Sequence, residues 1–580
     1  MRSSPDAARW AEGVLEECEA VLAEHDAMAR CVSIEPRRRE EQHADVRLLF
    51  SDRKWLQSRA GEELVGSLQE HASLASVQRH RSAILLRFDD AALATLERRL
   101  GAGEVAGMGT TDILAGRRFT VGFVGPNTNK ALHVGHLRNI VLGQALASAM
   151  ASAGAIVQRH NLVGDIGRRV CEAMGGYLTR HDGEDPQAMG LAGDRFVEIC
   201  CRDFPRGPAR SSEIEPAGDP NSEESEALGD LADAIMQAWM RGAAPERALW
   251  RRMRDWALIG HQHTLARLGV RMDRHDFESD GIERAFELIE KGLTQGLFTR
   301  EATGGVIYRT GRSEYTTMVL LRKDGAPTEY ARLLGVYHLM DGDLPSDGVY
   351  VEVVGIEWQS VMAVQGELLR KLLAKPSDER FAWAFHGSIT VGGQKMGSST
   401  GEVMWIDDLL DELAACPGVA ALQELSDGAA GRDQLADMVV RGSFLCSPTL
   451  QPLAFARERL VAGRSGPGWT IAEAWCRAQH PHELQTSTPV ARTAVVQSQL
   501  FRRALGRTVA KRDTASLASY LLGLSEACLA APAPGSAAAP VLRRVLGSLG
   551  FLVENRETSK PDQVRTQSSS HDDLIQAGAR

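Results

Sequence analysis

The chain has 580 residues, of which 43% are hydrophobic, and a formal net charge of −10 at pH 7. A chain of this length and composition is expected to form two to four domains with substantial hydrophobic cores. It has no apolar run of membrane thickness and no apolar signal core in its first residues, so we expect a cytoplasmic protein without membrane association. The nine cysteines include no C-x-x-C pair, which argues against a disulfide framework and a zinc site, and we predict no metal ligands.

Residues 1–116 are predicted to form an N-terminal α+β domain. Helical spacing of apolar residues predicts a first helix at 7–28. Apolar runs and further helical patterns then predict strands at 45–50 and 83–88 and helices at 60–71 and 90–100.

The most informative segment is 117–139, with the sequence RRFTVGFVGPNTNKALHVGHLRN. Its alternating apolar run ends at Gly125 and predicts a strand and a turn, whereas the spacing after His133 predicts a helix. N–H groups at a helix start, together with the helix dipole, favour an anion. His133 and His136 are expected on the same side of the first turn, and Gly135 between them allows a ligand to approach the backbone. The segment therefore predicts a phosphate-binding site.

H-x-G-H alone is equally compatible with ordinary structural histidines. A second element lies about 260 residues downstream, at 388–401, where a Gly/Ser-rich loop, SITVGGQKMGSSTG, carries Lys395 and precedes a predicted helix at 406–413. An early H-x-G-H and a late K-M-x-S-S form a specific pair. We call residues 126–138 the first motif and residues 395–399 the second motif.

The rest of the chain alternates strands and helices and then becomes helical. Residues 117–425 have the alternation of a doubly wound parallel sheet, interrupted around 205–230 by a polar, Pro- and Ser-rich segment that predicts a disordered or surface excursion. Residues 426–553 are predicted to be helical, with a Pro- and Ala-rich break at 531–540. Residues 554–580 are predicted to be a disordered tail.

The first motif, PNTNKALHVGHLR, resembles the pattern P-N-T-x-K-x-L-H-x-G-H-L-R of the class I aminoacyl-tRNA synthetases, and among them the arginyl-tRNA synthetases. Further similar strings follow in order between 117 and 460: GDIG at 164–167, LRKDG at 321–325, VVG at 353–355 and DDLLDE at 407–412. The resemblance implies an α/β fold, with a Rossmann-like doubly wound parallel-sheet catalytic domain, an N-terminal α+β domain and a C-terminal α-helical bundle that resembles an anticodon-binding domain.

The resemblance also implies a reaction. An amino-acid carboxylate attacks the α-phosphorus of ATP, pyrophosphate leaves, and a ribose hydroxyl of tRNA then takes the aminoacyl group from the adenylate. Such a transition state needs positioned N–H donors and positive charge. The implied catalytic residues are Lys130, His133, His136 and Lys395, and the implied ATP contacts are Gly135, Gly355, Met396, Ser398 and Ser399. Mg²⁺ is inferred only from the ATP chemistry.

The second motif departs from the family's usual K-M-S-K-S because Ser398 stands in the place of the second lysine. Many arginyl-type enzymes also lack this lysine and have one just before the first H-x-G-H, which corresponds here to Lys130. We therefore hypothesise that Lys130 takes over its charge. A surface lysine is the simpler alternative.

The expected amino-acid pocket also departs from the family. Gly122 stands where arginyl enzymes usually have an acid, and Leu333 stands where they have the aspartate of T-Y-x-x-R-D. Burying a guanidinium without a matching carboxylate is unfavourable. Glu329 or Glu357 could replace these acids, although each could equally be an exposed surface residue, and Asn127 keeps the position that contacts the backbone end of the amino acid. Activation of an amino acid is therefore expected, either of arginine or of another amino acid.

The overall negative charge does not indicate nucleic-acid binding, but residues 491–512 contain six basic residues and no acid. Arg502, Arg503 and Arg507 are candidate tRNA contacts, and a solvated helix face is the alternative.

Three functions remain open. The first is an ATP-dependent aminoacyl-tRNA ligase resembling arginine–tRNA ligase, with ATP, an amino acid and tRNA as partners, acting as a monomer. The second is a paralogue recruited to a specialised pathway, which activates an amino acid for a non-ribosomal acceptor. The third is a catalytically inactive, RNA-binding synthetase-like protein.

Overall fold

The computed structural model describes residues 13–25, 27, 30–36, 43–101, 111–204, 223–373, 380–391, 394–395, 403–463, 465–479, 495–497, 500–530 and 538–552. None of the helices in these ranges is long and apolar enough to cross a membrane.

The N-terminal part of the chain contains a four-stranded antiparallel sheet flanked by helices. Its elements are α1 (Gly13–Glu24), β1 (Cys31–Pro36), β2 (Val46–Phe50), α2 (Arg53–Leu56), α3 (Arg59–Gln69), β3 (Leu74–His80), β4 (Ala83–Phe88) and α4 (Asp90–Gly101). The strand order is β1-β2-β4-β3, and the predicted α+β fold is confirmed. Strands β1 and β3 were not predicted. They lie at the sheet edges, and β3 exposes most of its side chains, so it lacks a strong apolar pattern.

A five-stranded parallel sheet lies at the centre of the chain. In chain order, the elements of this part are β5 (Arg118–Gly122), α5 (Val134–Ser152), β6 (Ile156–Val163), α6 (Arg168–Arg180), α7 (Gly193–Asp203), α8 (Glu223–Met240), α9 (Ala244–Arg267), β7 (Arg274–Phe277), α10 (Ile282–Thr294), β8 (Thr299–Arg300), β9 (Val306–Arg309), β10 (Thr317–Leu321), α11 (Glu329–Asp343), β11 (Gly348–Gly355), a 3₁₀ helix (Ile356–Trp358), α12 (Gln359–Leu372), β12 (Phe381–His386), β13 (Ile389–Val391), β14 (Gln394–Lys395), α13 (Ile406–Ala415) and α14 (Pro417–Leu425).

The order of the parallel strands identifies the edge where a ligand is expected. The order is β12-β11-β5-β6-β7, because the chain starts at β5, moves outward through β6 and β7, and returns to β11 and β12 on the other side. The winding therefore reverses between β5 and β11. In such sheets ligands bind at the carboxyl ends of the strands beside the reversal. The predicted Rossmann-like doubly wound sheet is confirmed.

Helices α6 to α9 form an insertion between β6 and β7. Residues 205–222 lie outside the described residues, whereas 223–230 form the first turns of α8. Of the two predicted alternatives, disorder is therefore wrong for 223–230, and a surface excursion stays a prediction. Their polar composition was misleading because the buried apolar residues of α8, such as Ile235 and Trp239, occur later in the helix.

The C-terminal part is mainly helical, as predicted. Its elements are α15 (Arg432–Leu445), β15 (Leu453–Ala454), α16 (Arg457–Ala462), α17 (Pro467–Arg477), α18 (Phe501–Lys511), α19 (Ala515–Ala530) and α20 (Ala538–Ser548). Strand β15 pairs with β13, which in turn pairs with β14, so the helical part is joined to the strands that lead into and begin the second motif. The predicted break at 531–540 is too long, because α20 already begins at Ala538. The predicted tail at 554–580 lies outside the described residues.

Helix α5 is buried on almost every side. It packs against β5, β6 and β11 on one side and against α15, α18 and α20 on the other. It packs closely on the residue that follows β5 at Gly143, where an added Cβ would overlap the side chain of Phe123. The position of the helix relative to the end of β5 is therefore set by a contact that only glycine allows.

We predict that Gly143→Ala lowers the free energy of unfolding by about 1–3 kcal/mol, since overpacking a close helix–sheet contact forces neighbouring groups apart. Gly523→Ala is the matched control, because a Cβ at this helical position meets nothing within 4 Å and should stabilise the protein by about 0.5–1 kcal/mol. Urea unfolding followed by circular dichroism measures both changes. Equal effects of the two variants would contradict the close-contact argument.

Candidate active site

The chain leaves β5 through a turn with unusual backbone geometry. Val124 has a φ of 79° and Gly125 a φ of 56°, and a positive φ is rare for a β-branched residue. The side-chain oxygen of Asn139 accepts a hydrogen bond from Val124 N (2.6 Å), while its amide donates to the Val353 carbonyl (2.6 Å). One side chain of α5 thus fixes the turn to the neighbouring strand β11.

The two histidines of the first motif cap the start of α5. His133 is the N-cap residue, and its Nδ1 accepts the Gly135 N–H at 3.0 Å. The His133 N–H donates to Nδ1 of His136 at 3.1 Å, and the ring centroids are 4.0 Å apart, so the predicted placement on the same side is confirmed. Because both Nδ1 atoms accept, each neutral ring carries its proton on Nε2. Each ring therefore has an Nε2–H donor.

Both histidines are held in the neutral form. Burial, followed by the positive charge of Lys130, lowers the pKa of His133 to about 4. Burial also places the pKa of His136 well below its ordinary value, and His133 and Lys130 add to this shift. The histidines therefore offer dipolar donors near pH 7 rather than positive charge.

Lys130 supplies positive charge next to these histidines. Its ammonium is largely buried, and burial lowers its pKa, while the charges of Glu198 and Glu329 oppose that shift. The Lys130 carbonyl accepts a hydrogen bond from Nε2 of His261 at 2.8 Å, which fixes the turn that carries the lysine.

The second motif is only partly described. Lys395 pairs through its backbone with Thr390, and its side chain is not described. Met396, Ser398 and Ser399 lie outside the described residues.

The segment that follows the second motif is hydrogen-bonded to the first motif. His133 and Trp405 form an antiparallel bridge. On either side of it, Val134 N donates to the Met404 carbonyl (2.9 Å) and Ile406 N donates to the Leu132 carbonyl (3.1 Å). Residues 403–406 therefore lie directly against the start of α5.

Arg138 joins α5 to the segment before the second motif. Its side chain is fully buried and donates to the carbonyls of Gly387 (3.0 Å) and Gln451 (2.7 Å), and also to that of Pro448. Sequence reasoning did not assign a role to Arg138, although its position in the H-x-G-H-L-R string was the available signal. Both flanks of the second motif are thus tied to one helix.

The expected amino-acid positions lie at neighbouring strand ends. Asn127 bridges to Gly164 at the end of β6, and its side-chain oxygen lies over that glycine. A side chain of the adjacent strand β11 occupies the space beside Gly122, since a Cβ on Gly122 would overlap the Tyr350 hydroxyl. Leu333 is buried in an apolar cluster that includes Tyr350.

Sequence reasoning missed a buried ion pair close to these positions, between Glu278 and Arg332. Glu278 receives a hydrogen bond from Nε of Arg332 at 2.7 Å, and both side chains are buried. Its second oxygen, Oε1, would be 3.4 Å from a Cβ on Gly164, so Glu278 lies next to Asn127. Burial raises the pKa of Glu278 against the opposing effect of Arg332, and the charge of Glu329 raises it further. Glu329 therefore lies near both Glu278 and Lys130.

The other predicted residues lie apart from this group. Gly355 ends β11 opposite His386 of β12, and the Glu357 carboxylate folds back over Gly355 from an exposed position. Among the described residues, no group of three or more His, Cys, Asp and Glu side chains could hold a metal ion.

Two of the three arginines predicted to contact tRNA face the N-terminal part of the chain. Arg503 forms an ion pair with Glu19 of α1, and Arg502 lies 3.4 Å from a carboxylate oxygen of Asp112. Arg507 is half-buried on the same helix, α18. A role of these residues in RNA binding stays a prediction.

Residues 109–192 match the family model described as "tRNA synthetases class I (R), catalytic domain". The arginine–tRNA ligase of Treponema pallidum is 32% identical over 330 residues, covering 57% of this chain and 53% of the relative. That of Bacteroides thetaiotaomicron is 32% identical over 300 residues, covering 50% and 49%. The chain thus spans about half the length of the curated relatives it matches.

The fold is also similar to solved structures. The arginyl-tRNA synthetase of Thermus thermophilus has a TM-score of 0.66 at 19% identity, covering 92% of this chain and 97% of that chain. That of Plasmodium falciparum has a TM-score of 0.63 at 11% identity, with coverages of 94% and 96%. These two likenesses show a shared fold. The chain is thus similar to arginyl-tRNA synthetases in part of its sequence and in its fold, in line with the resemblance of its first motif.

We predict that buried His261 makes the protein less stable in mild acid. Burial lowers its pKa to about 4 in the folded chain, from an ordinary 6.5, so only the unfolded chain takes up this proton between these values. Stability is therefore lost as the pH falls from 6.5 towards 4, on the order of 2 kcal/mol by pH 5.

The variant His261→Gln, measured by urea unfolding at pH 7 and pH 5, should lose less stability than the wild type. His263→Gln on the same helix is the control, because the His263 side chain is 70% exposed, and it should keep the wild-type pH dependence. If His261→Gln behaves as His263→Gln does, the assignment of a neutral buried His261 is wrong.

Proposed function

We propose that the protein is an ATP-dependent aminoacyl-tRNA ligase resembling arginine–tRNA ligase. It activates an amino acid as its adenylate, with Mg²⁺ accompanying ATP, and transfers the aminoacyl group to tRNA. The observation that carries this proposal is the attachment of both flanks of the second motif to α5, through Arg138 upstream and the backbone bonds at Trp405 downstream. This arrangement supports convergence of Lys395 and the two histidines on one nucleotide.

The proposed chemistry needs little covalent work from the protein. The Nε2–H groups of His133 and His136 and the positive end of α5 would contact phosphate oxygens, and would do so without reorganisation because the capping bonds already fix both rings. Lys130 would add positive charge beside them. Gly135 and Gly355 would let the nucleotide approach the backbone, and Met396, Ser398 and Ser399 would contribute from the second motif.

The proposed charge role of Lys130 is supported by its surroundings. The ammonium is close enough to His133 and His136 to lower the pKa of both. It therefore lies beside the histidine donors that would contact the phosphate oxygens. We infer that Lys130 supplies the charge that Ser398 cannot.

The amino acid that is activated is arginine or another amino acid. Asn127 and the neighbouring Glu278 would hold the backbone end of the substrate, and Glu329 is the acid best placed to meet a cationic side chain. In the described structure an acid at position 122 has no room, because the Tyr350 hydroxyl occupies that space, and Leu333 is part of a core. These two features favour the alternative that the protein is a paralogue that activates an amino acid for a specialised pathway.

The proposal of tRNA as acceptor rests mainly on the similarity to arginyl-tRNA synthetases. Arg502 and Arg503 already face carboxylates of the same chain, which leaves Arg507 as the remaining candidate of the predicted three. A phosphate backbone could still pass along the α18 surface beside these arginines.

Pyrophosphate exchange with each amino acid in turn, with and without total tRNA, tests the function. Exchange with arginine supports an arginine–tRNA ligase, whereas exchange with a different amino acid supports the recruited paralogue. Formation of aminoacyl-tRNA in the same reactions tests the acceptor. Absence of exchange under every condition would overturn the proposal and leave an RNA-binding protein without activity.

We expect Lys130→Ala to lower the rate of adenylate formation about tenfold or more, with a much smaller change in the affinity for ATP, because the charge acts mainly on the transition state. Single-turnover kinetics separate the two quantities. Lys130→Arg should recover part of the rate, and the exposed Lys54→Ala is a charge-matched control that should match the wild type. A wild-type rate in Lys130→Ala would remove this hypothesis.

A further inference from the structure

Helix α7 lies against the turn that carries Lys130. Two side chains one helical turn apart make the contact. Oε2 of Glu198 accepts the Ala131 N–H at 3.2 Å, and Sγ of Cys201 accepts a hydrogen bond from the Asn129 amide at 3.6 Å. The insertion therefore supports the first motif on both sides of Lys130.

The same carboxylate also holds the segment that follows the second motif. Oε2 of Glu198 accepts the indole N–H of Trp405 at 3.0 Å. The Trp405 ring is covered by the guanidinium of Arg195, 4.4 Å from its centroid, and Arg195 pairs with Asp408 one turn into α13. One oxygen atom thus bridges the two parts of the chain that the reaction must bring together.

Glu198 is also the strongest favourable charge acting on Lys130. The groups that interact electrostatically with the lysine are Glu198, Glu329, Cys201, Arg169, His133, His136 and His261. Of these, Glu198 contributes most to keeping the buried ammonium charged, and Arg169 opposes it. Burial is the largest influence and lowers the pKa of Lys130, and the two glutamates are the main charges that oppose it.

We propose that Glu198 is a positioning residue for adenylate formation, which holds the Lys130 turn and Trp405 together and places a carboxylate beside that turn. This inference rests on the proposed function. It assigns to the α6–α9 insertion a role in assembling the site, because helix α7 of the insertion contacts both the first motif and the segment that follows the second motif. A half-buried carboxylate that accepts hydrogen bonds from two donors in different segments is costly to lose.

The test compares Glu198→Gln, Glu198→Ala and Asp203→Asn. The glutamine keeps an oxygen acceptor and the volume but removes the charge, whereas the alanine removes both. Asp203 is on the same helix and pairs with His181 instead, so Asp203→Asn is the matched control. We expect Glu198→Gln to lower kcat for pyrophosphate exchange about tenfold and Glu198→Ala to lower it further, while Asp203→Asn stays within about twofold of the wild type.

The pH dependence distinguishes this role from simple support of the fold. With less negative charge nearby, Lys130 should lose its proton at lower pH, so the alkaline fall of kcat should begin about half a pH unit earlier or more in Glu198→Gln. Trp405→Phe should lower kcat without moving this fall, because it removes only the indole hydrogen bond. Identical pH profiles for Glu198→Gln and Asp203→Asn would overturn the proposal.

A second readout does not need activity. The rate at which an amine-selective acylating reagent labels Lys130, followed by peptide mass spectrometry across pH, reports the pKa of the lysine directly. Labelling should extend to lower pH in Glu198→Gln than in the wild type and Asp203→Asn. If the wild-type protein shows no exchange with any amino acid, the proposed function fails, and this measurement still tests the coupling of Glu198 to Lys130.

Discussion

The start of α5 is the structural point on which both motifs depend. The backbone bonds between residues 132–134 and 404–406, and the carbonyl contacts of Arg138, join segments that are about 250 to 310 residues apart in the chain. A fully buried guanidinium without a carboxylate partner would be unfavourable, but here convergent carbonyl oxygens accept hydrogen bonds from both of its terminal nitrogens. The helix itself is held by the sheet on one side and the C-terminal helices on the other, so these contacts are made to a rigid element.

In the first motif the histidines provide neutral N–H donors, whereas the lysine provides positive charge. Because their Nδ1 atoms accept backbone N–H groups, His133 and His136 cannot take a second proton on Nδ1 without breaking the cap. Positive charge close to them must therefore come from a residue that the cap does not constrain, and Lys130 meets that condition. The positive charge of Lys130 also lowers the pKa of both histidines, which helps to keep the two rings neutral.

Local patterns in the sequence were sufficient for much of the fold and for the centre of the site. The alternating run at 118–122 and the helical spacing after His133 are short-range signals, and the structure has the strand and the helix they predict. Glu198, Glu278 and Tyr350 carried no such signal. Each reaches the site from an element at least 60 residues away in sequence from the motif residue it meets, and nothing in a single sequence states which turn of α7 faces residue 131. The polar start of α8 did carry a local signal, but its composition was used to predict disorder where its helical periodicity should have been examined.

The glycine at position 122 is best understood together with Tyr350. The two residues lie on adjacent parallel strands, and Tyr350 is held by a 3.3 Å contact between its hydroxyl and Nδ1 of His160, whose Nε2 contacts Asp276 at 2.9 Å. The tyrosine therefore has its own buried polar support, so its hydroxyl is fixed in the space next to Gly122. An acid at residue 122 would place a carboxylate against that hydroxyl and its network. The glycine at 122 and the hydroxyl of Tyr350 therefore depend on each other, and a larger residue at 122 requires a change at Tyr350 as well.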